Sequence, residues 1–369
     1  METLRNKIEN IMKKGSEARF SSVPEFVCYL FSVVYEIVVR IRACLYENGI
    51  ARSKRLPCKV VSIGNVTLGG TGKTPLTLYV AELLKRSGYK VVVISRGYGG
   101  RAEKSSGVLS DGNAIFMDAE QGGDEPCLMA TRLRGIPVIV GANRHLAGEK
   151  AMRSFDPDVL LLDDAFQHIQ LQRDLDICLC DARKPFGNRH LVPRGRLREP
   201  VSHLRRAHAI VLTRYSTSEK MPATDRVTIE KYAPGRPVFR CSHMPAGLKN
   251  PATGKTHGAG AVTGRKVVAF SGIAENDDFA AMLCGIGADI AGFISFADHH
   301  PYSETDVKEI LQTAKDLNVD YIVTTEKDYV RIGKRMATSF PTLVFLISIS
   351  FGEDADAFES FIKNRLSNS

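Results

Sequence analysis

Apolar residues along this chain fall into short runs bounded by glycine and charge, separated by stretches with helical spacing. Val60, Val61 and Ile63 form one run, which breaks at Gly64-Asn65 into a loop holding Gly69, Gly70 and Gly72. Lys73-Thr74 then opens a segment whose Leu76, Val80, Leu83 and Leu84 share one face of a helix. Further runs at 90–95, 137–140, 158–164, 175–180 and 209–213 show weak alternation and Val/Ile/Leu content, as parallel strands buried on both faces do. Helical patterns at 127–133 and 147–154 lie between them. From 245 to 265 the composition turns to Gly, Ala, Thr, Pro and Lys without a period, which predicts a flexible surface insertion. Strands at 267–271, 290–296, 321–325 and 343–347, with helices near 276–285, 303–317 and 355–366, predict a smaller second unit. The fold class is therefore α/β, a doubly wound and mostly parallel sheet followed by a smaller α/β domain.

The amino-terminal pattern differs. Residues 26–39 are apolar but include Glu36, and the run is short of the roughly 20 residues a spanning helix needs. Wound as a helix, Ser32, Glu36 and Arg40 form one stripe, and Phe26, Leu30, Val33, Val34, Ile37, Val38 and Ile41 a broad apolar face. Basic residues flank it: Lys13, Lys14 and Arg19 before, Arg42, Arg52, Lys54 and Arg55 after. An amphipathic helix lying on an anionic membrane surface explains the pattern, and so does a helix packed on the main core. The first 22 residues are charged and lack an apolar segment, so no signal peptide is expected.

At 369 residues the chain can bury a sizeable core, and its formal net charge of +9 suggests an anionic partner. Eight cysteines are scattered without a C-x-x-C pair, as free thiols in a reducing compartment would be. Cys178 and Cys180 read as the two faces of a buried strand rather than a metal clip.

Strand, glycine loop and helix in that order are the setting of a phosphate-binding loop. Thr67, Leu68, Gly69, Gly70, Thr71, Gly72, Lys73 and Thr74 occupy its positions, with Thr67 where the strict pattern has Gly. Backbone amides turned inward by the glycines and the helix N-terminus suit phosphate oxygens, with Lys73 reaching the β- and γ-phosphates and Thr74 holding Mg²⁺. A glycine-rich turn with a chance Gly-Lys-Thr is the plainer reading. Gly254-Lys255-Thr256 is such a case, since no apolar strand leads into it, and is expected to be a loop.

Asp163-Asp164 closes an apolar run and resembles the metal-side carboxylates of P-loop NTPases, although acids also cap ordinary strand ends. Asp124 stands at a helix start, where it is either a cap or the acceptor of a hydroxyl proton; Gly122-Gly123 before it would let a substrate approach. In Asp298-His299-His300 the spacing alone does not separate the two histidines. Arginines crowd 183–206 with only Phe186 among them, so a phosphorylated small substrate is favoured over a nucleic-acid backbone.

Taken together, Gly69 to Pro75, Ser95-Arg96-Gly97-Tyr98-Gly99, Gly123-Asp124-Glu125-Pro126 and Asn143-Arg144 resemble the tetraacyldisaccharide 4′-kinase family. The resemblance continues through Asp163 to His168, Leu197-Arg198-Glu199-Pro200, Phe296 to His299 and Thr324 to Asp328, in the family's order from about residue 60 to 330. Ala165 and Arg196 depart from the usual Gly and Pro. The resemblance implies transfer of the ATP γ-phosphate to the 4′-hydroxyl of a tetraacylated glucosamine disaccharide 1-phosphate, forming lipid IVA, with ATP and Mg²⁺ as cofactors. It implies Asp124, His299 and Lys73 as catalytic residues and Thr74, Asp163 and Asp164 near the metal. Arg96, Asn143, Arg144, Gln167, His168 and Arg198 would bind the acceptor. Expected partners are the lipid substrate and an anionic membrane surface, without nucleic acid, for a monomer on the cytoplasmic face of the inner membrane. Expected boundaries are 1–50 for a membrane-associating helix, 51–244 for the P-loop core, 245–265 for the insertion and 266–369 for the smaller domain. A membrane-associated P-loop ATPase acting as an interaction switch is the alternative, parted from the kinase by whether turnover requires a lipid acceptor.

Overall fold

The computed structural model describes residues 22–216, 221–336 and 340–367, together with Ile8, Ile11 and Met12. Lys13, Lys14 and Arg19 lie outside the described residues. The first sheet is built from β1 (Lys59–Asn65), β2 (Val91–Ser95), β3 (Gly107–Ser110), β4 (Val138–Val140), β5 (Val159–Asp163), β6 (Leu175–Asp181), β7 (Ala209–Thr213) and β8 (Val238–Arg240). Its order is β3-β4-β2-β5-β1-β6-β7-β8, with β3 antiparallel at one edge and the rest parallel. The short edge strands β3 and β8 carry no run long enough to stand out in the sequence.

Period-two alternation sorts the strand residues onto two faces. Val61, Ile63, Val93, Leu161, Ile177 and Val211 face one core, and Val60, Val92, Ile94, Leu160 and Leu162 the opposite one. Leu76, Val80 and Leu84 of the helix after β1 fill the first core, and Ala147 and Ala151 reach the second. Cys178 and Cys180 both point into a third cluster with Ile210 and Leu212. The expectation that they occupy two faces is corrected, because residues two apart in a strand share a side.

A six-stranded sheet forms the second lobe from β9 (Ser242–Lys249), β10 (Thr256–His257), β11 (Lys266–Ser271), β12 (Asp289–Ser295), β13 (Tyr321–Thr325) and β14 (Thr342–Ser350), ordered β10-β9-β14-β13-β11-β12. Here the reading of 245–265 as a flexible surface insertion is corrected, because the end of β9 and all of β10 lie within it as strands of this sheet. β9 runs antiparallel to β14 from Ser242↔Ser350 to Lys249↔Val344, with a register shift at Leu346/Ile347. Gly247, at φ 138°, lies where the strand departs from regular pairing, which hides it from a search for alternation. Of the second Gly-Lys-Thr, Gly254 and Lys255 fall in the connection from β9 to β10, as the loop reading expected, while Thr256 begins β10. After β14 the chain returns to the first lobe, where Phe358, Ile362 and Leu366 of the last helix, Ala355–Ser367, join the core of the first sheet.

The amino-terminal helix α1 (Val23–Glu47) docks through its polar side. Ser32 Oγ donates to the Leu191 carbonyl at 2.8 Å and accepts from the Arg194 amide at 2.8 Å. Glu25 meets Arg194 at 2.8 Å with both side chains almost fully buried. Leu30, Phe31, Val34, Ile37, Val38 and Ile41 face outward and are exposed. No helix among the described residues is long and apolar enough to cross a membrane. Removing one member of a buried ion pair strands its partner in a low dielectric, which costs about 3–5 kcal/mol. Glu25→Ala is therefore expected to lower the unfolding midpoint and expose 23–47 to limited proteolysis; an unchanged Tm and cleavage pattern would contradict this docking.

Candidate active site

The loop between β1 and α2 (Lys73–Arg86) is shaped by its glycines. Gly69 and Gly72 have φ of 109° and 84°, a region that disfavours side chains. Gly72 also has no room, since a Cβ there would stand 2.6 Å from the His243 ring. Thr67 makes a bridge to Leu197, the Leu68 amide donates to the Arg196 carbonyl at 2.6 Å, and Asn65 Nδ2 donates to Thr71 Oγ1 at 2.8 Å. Arg196, Ala274 and Arg214 stand against Gly69 and Gly70. Lys73 and Thr74 begin the helix, and Gly70 and Thr71 precede it.

Parallel pairing of Ile63 with Asp163 brings the end of β5 beside this loop. Asp164 lies 3.8 Å from Lys73 Nζ and accepts from Arg198 at 2.7 Å. Burial pushes its carboxyl up, but Lys73, Arg198 and Arg144 outweigh that and hold it below the usual range. Asp163 differs. It is fully buried, it accepts from the Thr77 and Ser95 hydroxyls at 2.9 and 3.3 Å, and burial with Glu125 and Asp164 nearby pushes it up to about 7. Thr74, Asp163 and Asp164 offer only oxygen ligands, and the charge of Asp163 lacks a cation of its own. That donor set fits Mg²⁺, a hard ion bound through one or two carboxylates with water and substrate oxygens.

Beyond β2, Gly122-Gly123 leads into α4 (Asp124–Arg132), the helix after the short α3 (Ala119–Gly122). These glycines admit the chain itself rather than a substrate, which corrects the sequence reading. A Cβ on Gly123 would lie 3.0 Å from the Gly97 backbone, and one on Gly122 would meet Leu109. Asp124 is the first residue of the helix and makes no cap bond. Its Oδ2 accepts from Arg331 Nε at 2.5 Å and stands 3.3 Å from His299 Nδ1. Burial raises its carboxyl, while His299 and Arg331 together hold it below its ordinary value. His299, at φ 62°, turns its ring to Asp124, with Lys327 Nζ 3.1 Å from Nε2. His300 turns away, bonds Asp306 at 3.0 Å and stacks on Phe296. Structure thus separates two histidines that spacing could not.

The remaining expected site residues divide. Gln167 donates to the Asn65 carbonyl at 2.8 Å and Arg198 to Asp164, both beside the phosphate loop. Asn143 caps the helix α5 (Arg144–Phe155) through the His145 and Leu146 amides. Arg144 is buried, its guanidinium donating to the Gly141 and Asp163 carbonyls at 2.8 and 3.0 Å. Burial, with Arg144, Arg173 and Arg42 adding to it, pushes His168 down to about 4. Arg96 is exposed and bonds Glu103 at 2.6 Å. Sequence reasoning assigned no role to Lys327 or Arg331. Their signal was the charge of Glu326-Lys327-Asp328 directly after a strand, the position at which open α/β sheets collect ligands.

A phosphate loop, paired carboxylates at the next strand and the charged cluster of Asp124, His299, Lys327 and Arg331 define a P-loop phosphotransferase. The model of the tetraacyldisaccharide-1-P 4′-kinase family matches residues 25–367. The tetraacyldisaccharide 4′-kinase of Desulfatibacillum aliphaticivorans is 39% identical over 99% of both chains. That of Geobacter metallireducens is 42% identical over 82% of this chain and 87% of its own. The crystal structure of LpxK from Aquifex aeolicus in complex with ATP superposes with a TM-score of 0.73 at 30% identity, covering 91% of this chain and 97% of that one. The chain belongs to the tetraacyldisaccharide 4′-kinase family.

The high affinity of Asp163 for its proton has a measurable consequence. Its proton binds more tightly in the folded than in the unfolded state, so ionising it costs stability as pH rises from 3.8 to about 7. Asp163→Asn removes that cost. It is expected to raise unfolding free energy at pH 8 by about 1–3 kcal/mol, with the gain shrinking toward pH 4. Denaturant melts at the two pH values check this, and a variant less stable than the parent at pH 8 would refute it.

Proposed function

We propose that this protein is the ATP-dependent kinase that phosphorylates the 4′-hydroxyl of a tetraacylated glucosamine disaccharide 1-phosphate, the step that forms lipid IVA. The observation that carries the reading is the convergence of Asp124 from one lobe with Arg331 and His299 from the other, together with Asp164 meeting Lys73 at the end of β5. Amides of residues 67–74 receive the nucleotide phosphates, and Lys73 offsets charge on the β- and γ-phosphates. Thr74, Asp163 and Asp164 would hold Mg²⁺, which supplies charge neutralisation between the β- and γ-oxygens when bound.

Asp124 takes the proton of the 4′-hydroxyl as that oxygen bonds to the γ-phosphorus and the bond to the β-phosphate oxygen breaks, giving ADP and the 4′-phosphate. Arg331 aims the carboxylate and keeps it ionised, and His299, beside Arg331, positions it through the same oxygen, Oδ2. Arg198 and Gln167 order the Asp164 side of the acceptor pocket. Exposed Arg96 is placed to meet an anionic part of the lipid, while Asn143, Arg144 and His168 support the pocket from behind.

The exposed side of α1 lies on the anionic cytoplasmic face of the inner membrane, so the enzyme works there as a peripheral monomer without nucleic acid. The division that fits this function is an anchoring segment to residue 50, a phosphate-loop core from 51 that the last helix rejoins, and an acceptor-side domain built from β9 to β14.

With labelled ATP and the acylated disaccharide, label should appear in the lipid, and Asp124→Asn should lower kcat by about 10²–10⁴-fold. Near-parental turnover by that variant would remove the assigned base, and ATP turnover indifferent to the lipid would remove the kinase reading. In sedimentation with anionic vesicles the full chain should pellet, and Phe31→Glu with Val34→Glu should shift it to the supernatant. Unchanged pelleting would count against membrane contact through α1.

A further inference from the structure

On the other side of β1, a closed cycle of charge joins the two lobes. Asp181 ends β6, Arg183 follows it, Arg214 follows β7, and Asp278 lies in the first turn of α7 (Asn276–Gly285) in the second lobe. Arg183 grips Asp278 with both Nη atoms, at 2.8 and 3.0 Å, and its Nε stands 3.3 Å from Asp181. Arg214 places Nε 2.8 Å from Asp278 and Nη1 2.6 Å from Asp181. Two guanidiniums and two carboxylates alternate, so the group is neutral; Arg183 holds Asp278 bidentately, and Arg214 meets it as an ion pair while its Nη1 donates to Asp181.

Among the described residues the third guanidinium nitrogen of Arg214, Nη2, is not used in this cycle, and it faces the phosphate loop. Its Nη2 lies 4.0 Å from the place a Cβ on Gly70 would occupy, next to Ala274 of the second lobe. His243 stands on the same side against Gly72, buried, with Nε2 lacking a hydrogen-bond partner among the described residues. Burial and Arg214 push that imidazole down to about 4, so it is neutral and can meet a polar ligand atom without adding charge. Sheet order decides which part of a nucleotide comes here. The transfer chemistry is on the β5 side of β1, so the inner phosphates and nucleoside run toward β6 and β7, where Arg214 and His243 are.

We infer that Arg214 binds the nucleotide on the side away from transfer and that Asp278 is a positioning residue acting through it from the second lobe. Nucleotide affinity is thereby tied to how the two lobes sit. The inference rests on residues 67–74 holding ATP, which Lys73→Ala tests separately in the same experiment. In calorimetric titration and steady-state kinetics on the full chain, Asp278→Asn and Arg214→Lys should weaken ATP binding about 10-fold, the scale of one lost charge-assisted contact. The KM for the acylated disaccharide and kcat at saturating ATP should stay within about twofold, and Asp278→Glu should restore most of the ATP affinity. Unchanged ATP affinity in Asp278→Asn overturns the proposal. So does a loss shared equally by both substrates that follows a fall in Tm. Should Asp278→Asn not fold, unchanged ATP affinity in Arg214→Lys overturns it equally. ATP binding that survives Lys73→Ala overturns instead the placement of the nucleotide in the loop.

Discussion

The structure depends on a carboxylate that neither lobe could hold ready alone. Asp124 leads a helix of the first lobe, yet the groups that fix and ionise it, Arg331 and His299, belong to the second. Arg331 is itself braced, with Nη1 donating to the Gly272 carbonyl at 2.9 Å and to Asp328 at 3.2 Å. Asp328 is fully buried and also accepts from the Gly272 amide and the Tyr302 hydroxyl at 3.0 Å each. The guanidinium therefore has little freedom to follow the lipid or the solvent. Around it the helices at 124–132 and 326–332 pack together, joined by Arg132 and Glu326 at 2.8 Å and by Glu125 and Lys327 at 3.5 Å. These contacts to Asp124 exist only when the lobes are together, so in the proposed mechanism proton acceptance needs both of them.

The two acids at the end of β5 are neighbours with opposite electrostatic fates. Asp164 has Lys73 and Arg198 within salt-bridge reach and stays ionised; Asp163 has hydroxyls and resists ionisation. One residue of displacement along the chain turns the first toward the loop and the second into the sheet. Ionising Asp163 works against burial, and its carboxylate sits beside the core of Val61, Leu161, Leu76 and Val80. Charge balance across the rest of the cleft follows the same logic. Arginines that would repel one another are interleaved with acids from the facing lobe, so a net positive chain presents few unpaired cations near its site.

Much of this was legible in advance because it rests on local pattern. Val60 to Thr74 reads as strand, loop and helix from spacing alone, and the double-sided burial of β1, β5 and β6 follows from unbroken apolar runs. The pairing of Asp124 with Arg331 spans 207 residues, and no local pattern encodes it. Strand β9 escaped for a different reason: Pro245 and Gly247 interrupt its alternation, and the partner that rescues it, β14, is nearly a hundred residues away. The glycines at 122 and 123 were legible as needed but not for what; only the packed structure reveals that Leu109 and the Gly97 backbone fill the space. Asn143 and Arg144 entered as acceptor contacts only through the family resemblance; in the structure Asn143 caps a helix and Arg144 is a buried brace on the end of β5.

The amino-terminal helix inverts the usual rule and shows why composition alone left it open. A helix joining a soluble core ordinarily buries its apolar stripe. Here Glu25 and Ser32 face inward, matched by Arg194 and the Leu191 carbonyl, while Leu30, Phe31, Val34 and Ile41 are left outside. Such an arrangement is unfavourable in water unless something apolar covers it, because the exposed side chains gain nothing from folding. The inward polar contacts solve a different problem: they set the helix's rotation without drawing its apolar face into the core. A hydrophobic docking stripe would have competed with a membrane for the same residues; a buried ion pair and one serine do not, so the helix can be tied firmly to the catalytic lobe and still offer its greasy side elsewhere.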